Sequence, residues 1–173
     1  MYNIKDLIGY CYIVREKIRA EDKDGLWDYC CPRVKTTEEN ISKWEYQNCM
    51  ELPQQYREFL LAADGWPHVV QNFDLFGLEQ LSFAEENIYI QCLGYCIDNI
   101  SNVGDKSKLL PIGASDNSYD LYLLVLDKCS KYYGQVLWVA GEEVERHDDF
   151  NLFFLSIIEY NKLNYKLLTG KPY

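Results

Sequence analysis

The stretch Leu52 to Trp66, LPQQYREFLLAADGW, constrains the fold more than any other part of the chain. Tyr56, Phe59, Leu60 and Ala63 recur at i, i+3, i+4 and i+7, so one helical face is apolar and the rest is polar. Pro53 suits the first helical position, where a missing N–H costs nothing. Gly65 is placed to end the helix in a left-handed cap. A helix this short is stable only when its stripe is buried. The reading is that it packs on a β-sheet supplied by the second half of the chain.

The segments around it follow from the same rules. Ile4, Leu7, Ile8, Cys11 and Ile18 keep a helical period, which predicts an N-terminal amphipathic helix as an extension over residues 1–20. Glu21 to Gly25 is a solvated connector, and Leu26 to Lys35, broken by Pro32, reads as loop with at most a short edge strand. Thr36 and Glu39 form a capping box for a helix bearing Ile41, Trp44 and Glu45. That helix and the next should pack as a bent pair. Phe73 and Leu75 alternate with polar or outward neighbours, as in a strand. Ser82 and Glu85 make a second capping box before an apolar segment running to Ile100, in which Gly94 weakens the helix by about 1 kcal/mol. Leu109 to Ile112 is a short strand. Tyr119 to Asp127 is a strand whose continuous apolar run implies burial on both sides. Lys128 to Gly134 is a hairpin loop, Gln135 to Ala140 the return strand, and Val144 to His147 a further strand. Asp148 or Asp149 caps a last helix carrying Phe150, Phe153, Phe154, Ile157 and Ile158. The tail from Tyr165 is expected to be frayed or lightly packed. The fold class is therefore α+β: a mainly antiparallel sheet from the second half, with helices packed over one face. At 173 residues the chain suits one domain.

Charge and cysteine usage narrow the partners. Lys plus Arg number 17 against 27 Asp plus Glu, a net charge of −10. Such a chain repels nucleic acid and anionic membranes and attracts a basic protein, although the same charge also serves plain solubility. Seven cysteines at spacings unlike a disulfide framework point to reducing cytoplasm. MYNIKDLIGYCY lacks the basic and apolar regions of a signal peptide, and no stretch reaches the length of a membrane span. Fifteen tyrosines serve either packing or a partner surface.

Chemistry-bearing patterns are sparse. Cys92 and Cys96 lie one helical turn apart, but no second pair follows at zinc-finger spacing. His147-Asp148-Asp149 resembles a fragment of a phosphohydrolase site, yet only His68 accompanies His147, and a helix cap accounts for the acids. Neither a nucleophile elbow nor a phosphate-cradling glycine loop is present. No catalytic residue, metal or cofactor is assigned. The corner Asp64-Gly65-Trp66 has two readings. It is a helix cap with its tryptophan folded onto the core, or an exposed aromatic anchor flanked by acids beside the turn Ser115 to Asp120. Glu142, Glu143 and Glu145 extend that second surface or form a solvated face.

Order and spacing of these motifs carry a family resemblance. Leu52-Pro53, Tyr56, Phe59-Leu60 and Asp64-Gly65-Trp66 resemble the signature of the SUKH superfamily of Smi/Knr-like proteins. The acidic helix with Ile41, Trp44 and Glu45 precedes it. LLPIGASDNSYDLYLLVLD, Gly134 to Trp138 and the Phe-rich helix follow it, so the resemblance spans roughly Thr36 to Leu163. It implies a bacterial immunity protein, not an enzyme, that binds and neutralises a cognate toxin domain, often a nuclease and expected to be basic. Partner-binding residues on this reading are Asp64, Trp66, Asp116, Tyr119, Asp120, Glu142, Glu143 and Glu145. The alternative is a regulatory or scaffold module without a toxin partner. Oligomeric state is open.

Overall fold

A computed structural model describes residues 3–115 and 119–173. In chain order come α1 (Ile4–Glu21), α2 (Glu38–Asn48), α3 (Gln54–Leu60), β1 (Trp66–Val70), β2 (Phe73–Leu75), α4 (Ile88–Cys96), β3 (Leu109–Ser115), β4 (Leu121–Val125), β5 (Val136–Val139), β6 (Glu143–His147) and α5 (Phe150–Thr169). The strands form one sheet in the order β1-β2-β3-β4-β5-β6, each antiparallel to the next. The chain is α+β, with helices packed on the sheet.

This meander gathers three connections at one end of the sheet: β1–β2, β3–β4 and β5–β6. We call it the turn end. α5 starts at the opposite end and runs back toward it. Side chains alternate along β4. The Tyr122 ring stacks on Phe73 at 4.5 Å and meets Phe153 of α5 edge-on at 4.8 Å. Leu121, on the other face, borders Cys92 of α4. Both faces are thus covered, where the sequence predicts helices over one. Two-sided cover explains why every residue of β4 is buried.

The stripe of α3 is buried as its period requires, against α1 and α5. Tyr56 and Phe59 lie 5.0 and 5.1 Å from the Phe150 ring, and Phe59 lies 5.9 Å from Phe154. Its direct tie to the sheet is the Tyr56 hydroxyl, which donates to the carbonyl of Phe76 just after β2 at 3.2 Å. Arg57 reaches back to Glu45 and Glu38, holding α2 and α3 together.

Several ends differ from the sequence expectation, each for a local reason. Thr37, not Thr36, caps α2; its hydroxyl accepts from Asn40 N–H at 3.2 Å. Asn87 caps α4, while Ser82 Oγ instead accepts from Ala84 N–H in a separate turn. α3 stops at Leu60, so Gly65 does not end it. Gly65 sits at φ +88°, and a Cβ there would lie 2.5 Å from the backbone nitrogen of Gly77. The glycine is needed for close backbone approach at the start of β1. The tail is lightly packed and not frayed: α5 continues to Thr169, is capped by left-handed Gly170, and has Tyr165 5.4 Å from Tyr173, with no residue from Tyr165 onward fully buried.

α1 packs along α5. Arg15 is buried there and donates to the carbonyls of Val69 (3.2 Å) and Asp28 (3.0 Å) and to Asn161 Oδ1 (3.4 Å). Burial lowers its pKa from the ordinary guanidinium value. A buried cation needs such acceptors, because its lost hydration must be replaced.

Candidate functional site

Antiparallel pairing decides which expected residues meet. β4 begins and β5 ends at the turn end, with Leu121 paired to Val139. Tyr119 and Asp120 therefore lie near Glu142 at the head of the next turn, and Glu143 and Glu145 follow in β6. Asp116 lies outside the described residues. Asp64 and Trp66 are at the other end of β1, away from this group.

Trp66 is not an exposed anchor. It opens β1 opposite Leu75, under the helical layer, and is 0 % exposed. Its indole N–H donates to the Cys30 carbonyl at 2.8 Å, and its ring lies 6.4 Å from Phe154. Of the two readings of the corner, the core tryptophan is the one realised. Asp64 is half-buried, and its Oδ1 accepts from Leu78 N–H at 2.7 Å. That bond fixes the chain leaving β2.

The hairpin glutamates divide. Glu143 pairs with Arg146 through two contacts, 2.8 Å to Nε and 2.6 Å to a terminal nitrogen. Arg146 also donates to the carbonyls of Ser101 and Asn102, 2.8 Å each. This network fastens β6 to the segment after α4. Glu145 accepts from the Tyr160 hydroxyl at 2.7 Å. Glu142 is exposed in the turn.

Two recesses flank the turn end. On the α4 face, Tyr95, Tyr119 and Ile88 are 84 %, 73 % and 58 % exposed. Tyr95 and Tyr119 border a hollow of about 370 Å³ floored by Cys92, Cys96 and Gly141. Asn99 Nδ2 donates to the Gly141 carbonyl at 2.9 Å, fixing this side. Burial raises the pKa of both thiols, so they act as apolar floor and not as thiolates.

On the α5 face lies a cleft of about 250 Å³. Phe73, Tyr122 and Trp138 from three strands and Tyr160 from α5 form its aromatic walls, with Asp120 at the wall nearest the turn. Trp138 meets Phe73 and Tyr160 edge-on, at 5.9 and 5.8 Å. Burial, then Glu145, pushes the Tyr160 hydroxyl up to about 12. Tyr122 is raised further, by burial first and then by Tyr160, Asp120 and Glu145. These aromatic residues are a group that sequence reasoning missed. Only strand register unites them: Tyr122 is the cross-strand partner of Trp138, and register is set by turns and burial pattern together.

The segment His147 to Asp149 has structural roles. Asp149 caps α5 by accepting from Leu152 N–H at 2.9 Å, and Asp148 accepts from Gln135 at 3.1 Å. His147 Nε2 sits 3.3 Å from Ser156 Oγ and 3.6 Å from Glu145. Among the described residues, no three His, Cys, Asp or Glu side chains converge as a metal site needs. No described helix is long and apolar enough to cross a membrane.

Comparison with known proteins gives one family match. The model of the SMI1 / KNR4 family (SUKH-1) matches residues 35–156, from the segment before α2 into α5. No curated protein matches the chain. α1 and the C-terminal half of α5, which pack on each other, lie outside the matched span.

Proposed function

The chain belongs to the SMI1 / KNR4 family (SUKH-1), and from that premise we propose that it is an immunity protein, which binds a toxin domain and blocks it. The turn end of the sheet is the docking surface. The observation that carries this reading is the juxtaposition there of exposed Tyr119, Tyr95 and Ile88 with Asp120 and Glu142. Asp116 belongs to the same β3–β4 connection and is included on sequence position alone.

The physics is that of a steered, anchored complex. A net charge of −10 raises the capture rate of a basic partner. Large aromatic side chains at the centre of an interface then slow dissociation, because each buries much area at small entropic cost. A rigid sheet end, fastened by Glu143–Arg146 and Asn99–Gly141, presents them without a reordering penalty. Neutralisation follows from occupying the basic surface by which a nuclease holds its substrate. Trp66, being buried, is no part of this surface.

The test is co-expression with the toxin domain encoded beside this chain's gene, scored by cell survival and co-purification. Survival and a stable complex are expected. Absence of both contradicts the reading, and recovery of several unrelated partners instead would favour a regulatory scaffold.

A further inference from the structure

The α5-face cleft is too small for a cofactor and shaped for one side chain. Small-molecule pockets typically run from about 300 to 1,000 Å³, and this cleft holds about 250 Å³. Its aromatic wall is Phe73 stacked on Tyr122, with Trp138 standing edge-on to Phe73 and Tyr160, and the uncharged polar residues Gln71, Asn72, Ser115 and Asn164 complete the rim. Its charges are of one sign. Asp120 lines it, and Glu145 sits behind the Tyr160 wall at 2.7 Å from that hydroxyl. None of its described lining residues is basic. The negative field reaches the bottom of the cleft, since both carboxylates disfavour ionisation of Tyr122. An aromatic recess with carboxylates beside it repels anions and gives a neutral apolar side chain no use for the charge. It stabilises a cation twice, through the ring quadrupoles and through Coulomb attraction.

We propose that this cleft is the receptor for a single lysine or arginine side chain projecting from the partner protein. The inference rests on the protein-binding reading above and specifies the partner's chemistry at one point: a basic side chain that reaches the cleft beside Asp120. It also places that contact on the α5 side of the turn end, opposite the hollow beside Tyr119. The partner therefore straddles the turn end, contacting both faces of the sheet.

The experiment uses the full chain and needs no toxin. Acetylated, amidated tripeptides with central lysine, arginine, norleucine or glutamate are titrated while the Trp138 indole N–H resonance is followed by NMR. The lysine and arginine peptides are expected to shift that resonance saturably, with affinity in the millimolar range suited to one side chain. The norleucine and glutamate peptides are expected to leave it in place. Asp120→Asn should weaken lysine-peptide binding by about tenfold, with the other indole resonances unmoved as proof of folding. Equal binding of norleucine and lysine, no saturable shift, or full affinity in Asp120→Asn each overturns the proposal. A chain that neutralises its toxin but ignores the lysine peptide keeps the immunity reading and loses this one. A chain that takes the peptide but neutralises nothing loses the immunity reading instead.

Discussion

Tyr160 donates its hydroxyl hydrogen to Glu145 Oε2 across 2.7 Å, linking α5 to β6 beside the aromatic cleft. The acceptor is a carboxylate, so the bond is stronger than a neutral one, but both groups are partly exposed and water competes. Tyr160→Phe keeps the ring and removes only the link. It is expected to cost about 1 kcal/mol in urea unfolding, and an unchanged midpoint would show that the bond contributes nothing net.

His147 makes stability depend on pH. Burial, outweighing the opposing pull of Glu145, Asp148 and Asp149, holds its imidazole below the ordinary value of 6.5. As pH falls past 6.5 the unfolded chain takes the proton before the folded one does. Stability is therefore full above that pH and declines below it, until the folded imidazole also protonates. Melting temperature should fall between pH 7.5 and pH 5.5, and fall less steeply in His147→Gln. Parallel slopes for the two proteins would remove His147 as the cause.

Trp66 separates a core role from a binding role. It is fully buried against Phe154 with its N–H satisfied, so truncation leaves both a cavity and an orphaned carbonyl. Trp66→Ala is expected to cost about 3–5 kcal/mol in chemical unfolding. A variant with native stability but lost partner affinity would restore the exposed-anchor reading.

Gly65 and Gly77 let two backbone segments touch. A Cβ on Gly65 would meet Gly77 N at 2.5 Å, and one on Gly77 would meet the Asp64 carbonyl oxygen at 2.4 Å. Backbone atoms cannot swing aside as a flexible side chain does. Gly65→Ala also forces an L side chain to φ +88°. Each substitution should destabilise by about 2 kcal/mol or more, measured by thermal unfolding, and a neutral effect would mean that the corner yields.

Periodicity and caps made most of the fold legible. The stripe Tyr56, Phe59, Leu60 foretells α3, and the apolar run from Leu121 foretells the central strand. β1 is not legible in the sequence, because Pro67 breaks the alternation, His68 takes a positive φ, and pairing with β2 overrides the local signal. The tail is lightly packed and not frayed, because α5 runs on to Thr169 and Tyr165 meets Tyr173. At the candidate site the sequence supplied the exposed acids and Tyr119. It did not supply the aromatic cleft, whose four rings are scattered from Phe73 to Tyr160 and meet only through strand order. It also could not divide the glutamates, since the partners Arg146 and Tyr160 are chosen by tertiary packing.

The most direct measurement is the affinity of the chain for its proposed partner, a toxin domain sought beside its gene, compared between Tyr119→Ala and Val34→Ala. Both side chains are exposed, 73 % and 89 %, but Val34 adjoins Arg33, which bonds Gly65 at the opposite end of the sheet. A docking surface at the turn end requires Tyr119→Ala to weaken binding by about tenfold or more with no change in melting temperature, and Val34→Ala to leave it unaltered. Equal affinity in the two variants would contradict it.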